Sequence, residues 1–264
     1  MNEFDQLRQD LVDEQDSLDD IVSPLSDIEW ASLTPSPGWT VTDQVGHLRY
    51  FDGTAALAVS DPEAFQASLA DLFAAAVAPG IDEFTLADFR SAAPSERLAL
   101  WRANRARLAA AAVSLTEDAR IPWYGPSMGA KSFVTARLME AWAHGQDIVD
   151  AVGVPRGPTD RLRHIAQLGF ITRGWSYKVR GEEMPPGDVR VELTGPSGDT
   201  WRWGPSDAAD VVTGPALDFC LVVTQRRHVD DTTLHAGPIG QHWLLRAQAF
   251  AGGPTTGPAP RTTS

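Results

Sequence analysis

Arg137–Ala151 reads RLMEAWAHGQDIVDA. Met139, Trp142 and Ile148 recur at helical spacing and give the stretch an apolar stripe. Glu140 and His144 are four residues apart, so on a helix they stand one above the other. A carboxylate and an imidazole sharing one stripe suit a metal ion. They equally suit a solvated acid beside a structural histidine, and the spacing alone does not choose.

Working outward, several more helices are readable. Upstream, Leu7, Leu11, Leu18, Val22 and Leu25 form the stripe of an N-terminal amphipathic helix, which a Pro- and Ser-rich loop follows. A second helix begins at TVTD, where Thr40 is the cap and Asp43 its partner three residues on. It carries Val45, Leu48 and Phe51, with His47 between them. A looser helical stretch covers residues 62–90, and a strong helix with Leu98, Trp101 and Leu108 covers residues 95–115. The loop IPWYGPSM then leads into the Glu140–His144 helix.

GVPRGPTD, from Gly153 to Asp160, marks a boundary. Beyond it the pattern predicts a helix over 159–179. A β-hairpin follows, in which Val189, Val191 and Leu193 alternate on one strand and Trp201 and Trp203 on the other. Further helices are predicted at DAADVV, PALDFCLVVTQRR and PIGQHWLLRAQAF. The expected fold class is mainly-α α+β. It comprises an up-and-down four-helix bundle over residues 1–155, a smaller α+β domain with the hairpin over 156–252, and a disordered tail over 253–264.

Composition narrows the function classes. The chain has 264 residues and a net charge of −13, from 35 acidic and 22 basic side chains. Such a surface repels phosphate backbones, so nucleic acid is not an expected partner. There is no readable membrane span or secretory signal, and the single cysteine, Cys220, lies in the apolar run ALDFCLVV. These features fit a cytoplasmic protein that is a monomer or a homodimer, with Cys220 a core residue.

The third ligand that a catalytic metal site commonly needs is best supplied by His47, with His164 its main rival. Asp147, three residues beyond His144, suits orienting a ligand imidazole or is an ordinary exposed acid. Trp123 and Tyr124 either line a substrate pocket or plug the bundle end. Arg226 either clamps a substrate carboxylate or complements a helix end. Arg49 and Arg137 flank ligand positions and read equally as surface charges.

GWTVTDQVGHL, followed some ninety residues later by RLMEAWAHGQDI, resembles the DinB-like superfamily, and within it the branch of mycothiol-dependent maleylpyruvate isomerase. The resemblance covers residues 1–155. It implies a four-helix bundle that binds a divalent metal through His47, Glu140 and His144. Zinc is the first expectation, with Ni2+, Fe2+ or Mn2+ also compatible. It further implies mycothiol, a low-molecular-weight thiol, as co-substrate and a small electrophilic metabolite as substrate. The whole chain resembles an uncharacterised actinobacterial metal-binding family whose C-terminal part is of the wyosine-base-formation type. The expected function is a metal- and thiol-dependent transferase or isomerase. A hydrolase or lyase using metal-bound water, and a non-catalytic metal-binding stress-response module, are the alternatives.

Overall fold

The computed structural model describes residues 2–75 and 80–261. Residues 76–79 of the predicted 62–90 helical stretch, and residues 262–264 of the tail, lie outside the described residues. The fold is mainly helical α+β and divides into two compact units, residues 1–155 and 156–264.

The first unit contains α1 (Glu3–Val22), α2 (Asp27–Trp30), α3 (Val41–Ser60), α4 (Pro62–Ala75), α5 (Ile81–Ser91), α6 (Pro94–Val113), the two-residue strands β1 (Arg120–Ile121) and β2 (Met128–Gly129), and α7 (Ala130–Val152). The four long helices α1, α3, α6 and α7 form the bundle. In it α3 packs on α6 and α7, and α1 packs on α7 and α6. Leu18, Val22, Val41, Val45, Leu48, Phe89, Trp101 and Ile148 make a continuous buried cluster between these helices and α5. Fully burying a side chain of the Val, Leu, Ile or Phe type stabilises by about 1.5–3 kcal/mol each, and this burial holds the bundle against its entropy cost. Asp19 of α1 adds a charged tie, accepting from Arg102 and Arg105 of α6. The stretch 62–90 is two helices rather than one.

Local signals fix where the two site-bearing helices start and stop. Thr40 and Asp43 form a reciprocal capping box at the head of α3, and Arg90 of α5 holds the outer oxygen of Asp43 at 2.7 Å. That box sets the rotational phase of α3. Gly46 lets α5 approach, because a Cβ there would lie 3.0 Å from the Phe89 ring. α7 ends at Gly153, whose φ of 70° is the left-handed C-cap that glycine accepts without strain.

The second unit contains α8 (Leu162–Ile171), α9 (Arg173–Lys178), β3 (Val189–Thr194), β4 (Thr200–Trp203), β5 (Asp210–Pro215), α10 (Ala216–Val223), β6 (His235–Ala236) and α11 (Pro238–Leu244). The hairpin pairs Val191 with Trp203 and Leu193 with Trp201. Val191 and Leu193 are fully buried and Trp201 nearly so, while Trp203 is half-buried and donates from its indole to Gln167. The sheet order is β4-β3-β5-β6, and β5 runs parallel to β3.

Two predicted helices are corrected here. DAADVV does not form a helix: Asp210–Val212 begin β5, with Asp210 and Val212 inward and Val211 outward. The two-residue period of a half-buried strand won over the helical propensity of Ala and Asp. Asp210 explains its own inward position, since its carboxylate accepts from the backbone N–H groups of Gly237, Ile239 and Gly240 at the head of α11. The 159–179 helix starts later and is broken at Thr172, whose hydroxyl bonds back to the carbonyls of Leu168 and Gly169. Residues 253–261 form no helix or strand. Thr255 is nonetheless tied to Gln225 and Gln248, and the Arg261 backbone N–H donates to Asp231.

Candidate metal centre

The capping box of α3 and the C-cap of α7 phase two adjacent helices so that His47 and the Glu140–His144 pair face one another. Nε2 of His47 lies 3.0 Å from Glu140 Oε2, and Nε2 of His144 lies 3.2 Å from the same oxygen. The ligand-type atoms of all three fall within 4.8 Å of one another, and theirs is the only such group among the described residues. His164, the rival third ligand, belongs to no such group, nor do His228, His235 and His242. The imidazole centroids of His47 and His144 are 4.2 Å apart. Trp39 covers both rings and Phe51 packs on His47 at 4.5 Å. The side chains of His47 and Glu140 nevertheless keep 18% and 20% of their surface open.

Hydrogen bonding assigns the tautomer of His144. Thr34 spends its one hydroxyl proton on the carbonyl of Trp39, at 2.9 Å. It must therefore accept from Gln44 Nε2, 2.8 Å away, and the Asp147 carboxylate accepts from the same amide nitrogen at 3.4 Å. Those two acceptors fix the Gln44 amide so that its Oε1 faces His144 Nδ1, at 2.5 Å. Nδ1 of His144 thus carries the proton, and Nε2 of the neutral ring presents a lone pair to Glu140. A lone pair 3.2 Å from a carboxylate oxygen calls for a positive charge between them, either a proton or a cation. Two imidazole nitrogens and one carboxylate oxygen, partly open to solvent, are a donor set suited to zinc and its neighbours in the first transition row.

The electrostatics agree with that fit. Burial first, and then the repulsion that a protonated His144 would add, push His47 down to about 4, so its ring is neutral at pH 7 and available as a ligand. Burial acts to raise Glu140, but a proton held between its carboxylate and the ring nitrogens of His144 and His47, together with the charge of Arg137, outweighs it and holds the carboxyl well below the usual range. Glu140 is thus an anion at neutral pH.

The other sequence candidates fall in different places. Asp147 accepts from Ser36 at 3.0 Å and from the amide of Gln44, the residue whose oxygen meets His144. Gln44 was not singled out from sequence, although it lies three residues before His47 on the same face of a well-capped helix. Trp123 is buried, stacked on Phe65 at 5.7 Å, and reaches the site through Tyr124 and Phe51, which pack on one another at 5.5 Å. Arg226 belongs to the second unit, just past the end of α10, where its Nη1 donates to the Thr224 carbonyl at 2.7 Å. Arg137 is not a surface charge: it is 6% exposed. Cys220 is fully buried against α8, and burial alone pushes its thiol well above the ordinary range, which disqualifies it as a nucleophile.

Comparison with known proteins follows the same division. The family described as mycothiol maleylpyruvate isomerase N-terminal domain matches residues 11–149, more than half of the chain. The chain belongs to that family. The match covers α3 and α7 and so includes all three candidate ligands. A second family, described as wyosine base formation, matches residues 185–236, which contain the sheet from β3 to β6. An uncharacterised protein of Mycobacterium tuberculosis, found in two strains, is 46% identical over 251 residues, covering 94% of this chain and 96% of the relative. Among solved structures, mycothiol-dependent maleylpyruvate isomerase superposes with a TM-score of 0.57 at 18% identity, over 88% of this chain and 93% of the other. A histidine-to-alanine mutant of that isomerase gives 0.59 at 17% over the same shares. At these identities the likeness speaks for the fold. Among the described residues, no helix is long and apolar enough to cross a membrane.

Proposed function

We propose that the protein is a thiol-dependent isomerase or transferase whose metal centre is held by His47, Glu140 and His144. The observation that carries this reading is the convergence of three donor atoms with Gln44 fixing the ligand tautomer, inside the region that matches the isomerase family. A divalent ion in that donor set, zinc by preference, supplies the Lewis acidity that ionises a ligand thiol near neutral pH. The thiol comes from a small molecule of the mycothiol type, which agrees with a chain whose one cysteine is sealed in a core. The substrate is a small electrophilic metabolite.

The chain's own residues do the positioning. Gln44 and Asp147 hold His144, Trp39 and Phe51 keep bulk water off the imidazoles, and the partly open faces of His47 and Glu140 give the ligands a way in. Trp123 and Tyr124 wall the site on the α4 side. The test is turnover of electrophilic substrates by metal-loaded protein with and without mycothiol. Turnover that requires the thiol and ceases on chelation is expected. Turnover without any thiol would transfer the assignment to the water-using hydrolase or lyase.

A further inference from the structure

The chain beyond α11 crosses the second unit as a strap fixed at two points. At the first, the Thr255 hydroxyl donates to the side-chain oxygen of Gln225 at 2.8 Å and its N–H donates to Gln248 Oε1 at 3.2 Å. The Thr255 carbonyl accepts from Arg180 at 2.5 Å. Gln248 is 1% exposed, so this pin is set into the unit rather than laid on it. At the second, the Arg261 N–H donates to both carboxylate oxygens of Asp231 at 3.0 Å. Between the pins, residues 256–260 read TGPAP and make no hydrogen bond with the described residues. Pro258 and Pro260 have no N–H to give, and their fixed φ stiffens the segment.

The strap crosses a cavity of about 300 Å³. Val222, Val229, Leu244 and Ala247, all buried, make its floor, and residues 256–260 close it from outside. Every lining residue belongs to the second unit, whereas His47, Glu140 and His144 belong to the first. Arg227 and His228 stand at the cavity edge with partners of their own. Arg227 donates to the Arg226 carbonyl at 2.7 Å, and His228 Nδ1 accepts from the Asp230 N–H at 3.2 Å. Selection inside the cavity therefore rests on shape and apolar surface. The wall beside the first pin is strained: among the described residues, Gln225 is the only non-glycine with a positive φ, at 60°. It ends α10 in the position where glycine is usual, its N–H on the Val222 carbonyl and that of Arg226 on Leu221. The Gln225 amide holds this conformation by donating to the Ala247 carbonyl at 3.0 Å and accepting from Thr255. Strained backbone persists where its surroundings over-determine it, and ligand clamps are among such places.

We propose that this cavity is a second ligand site, for a compact, uncharged, apolar molecule of about two fused rings, with residues 256–260 as its lid. The size follows from the volume: an apolar cavity of ~150 Å³ takes one benzene, so a cavity twice as large takes a two-ring molecule. The lid follows from the pins. A segment tied at both ends and unbonded between them can bow outward to admit a ligand without breaking either tie. The Gln225–Thr255 contact keeps the inner pin in register with the cavity wall. The site stands whether or not the metal centre uses a thiol.

The test is binding of 2-naphthol, neutral at pH 7, titrated calorimetrically into zinc-loaded full-length protein. Wild type should bind about one molecule per chain. Ala259 is exposed and lines the roof, so Ala259→Trp puts an indole into the cavity from the strap and leaves the core alone. Its affinity should fall by at least ~30-fold. A chain ending at Thr255 keeps the inner pin and loses the lid. It should bind ~10-fold more weakly and release the probe faster in stopped-flow fluorescence. His47→Ala, which disables the metal centre, should bind as wild type does. Absence of binding in wild type, or wild-type affinity in both Ala259→Trp and the shortened chain, would overturn the site. Loss of binding in His47→Ala would place the probe at the metal centre and overturn it equally. Tighter binding by the shortened chain would overturn the lid, because the strap would then compete with the ligand.

Discussion

Asp52→Asn offers a quantitative test of the bundle's electrostatics. Asp52 is 3% exposed, and its Oδ2 accepts from Gln15 Nε2 at 3.0 Å and Trp101 Nε1 at 3.1 Å. Burial pushes its carboxyl from the ordinary 3.8 up to about 7, against the lowering effect of Arg137 and the Trp101 bond. A folded-state value above the unfolded one means that the native protein holds a proton that the unfolded chain releases. The contribution of Asp52 is therefore harmless below about pH 4, grows more costly as pH rises, and levels off above about pH 7. At ~1.36 kcal/mol per unit, the full cost is on the order of 4 kcal/mol, of which about 2–3 kcal/mol develops between pH 5 and pH 8.

His47 runs the other way. Its folded value near 4 lies below the ordinary 6.5, so it destabilises at low pH and releases that cost as pH rises to about 6.5. Wild type alone thus shows two opposed slopes, and the difference between wild type and Asp52→Asn isolates one. Asparagine keeps an oxygen for Gln15 and Trp101 and cannot ionise. Urea unfolding in chelator, at half-unit steps from pH 5 to pH 8, should show the variant gaining on wild type by about 2–3 kcal/mol across that range. Parallel stability curves for the two proteins would refute the buried, proton-holding Asp52.

Other consequences follow from named contacts. Gln44→Leu keeps the volume and removes the acceptor on His144, so metal affinity measured against a chromophoric chelator should fall ~10-fold to ~100-fold with the fold intact; unchanged affinity would remove Gln44 from the site. Gly169→Ala drives a Cβ to 2.8 Å from Val223 and 3.0 Å from Phe219 at the α8–α10 contact. It should cost about 1–3 kcal/mol in calorimetric unfolding of the second unit, and a neutral result would mean that the two helices are free to separate. Cys220→Ser should leave thiol-dependent turnover in place, because the attacking sulfur is not the protein's; abolished turnover in a folded variant would contradict the exogenous thiol.

The parts of this protein that are legible in sequence are those written in short-range pattern. The stripes of α1, α3, α6 and α7 and the Thr40–Asp43 cap are local, and so is the alternation of Val189, Val191 and Leu193. His47, Glu140 and His144 were found because ligand residue types at helical spacing coincide with a family motif. What escaped depends on partners far along the chain. β5 was read as helix because its register comes from a parallel partner some twenty residues upstream, which no local period reveals. Gln44 escaped because its role depends on Thr34 having spent its proton on Trp39, a fact of the turn before α3. For Arg137 the choice between a residue beside a ligand and a surface charge stayed open, because nothing in RLMEAWAH announces that its side chain turns inward onto Trp123.

The central claim is that His47, Glu140 and His144 act together as one ligand set. Metal analysis by inductively coupled plasma mass spectrometry, on protein dialysed against zinc and then against buffer, tests it directly. Wild type should retain about one divalent ion per chain, while His47→Ala, Glu140→Ala and His144→Ala should each lose it, since a three-ligand site already lacks a full shell. Full occupancy in all three variants, or no retained ion in wild type, would contradict the account.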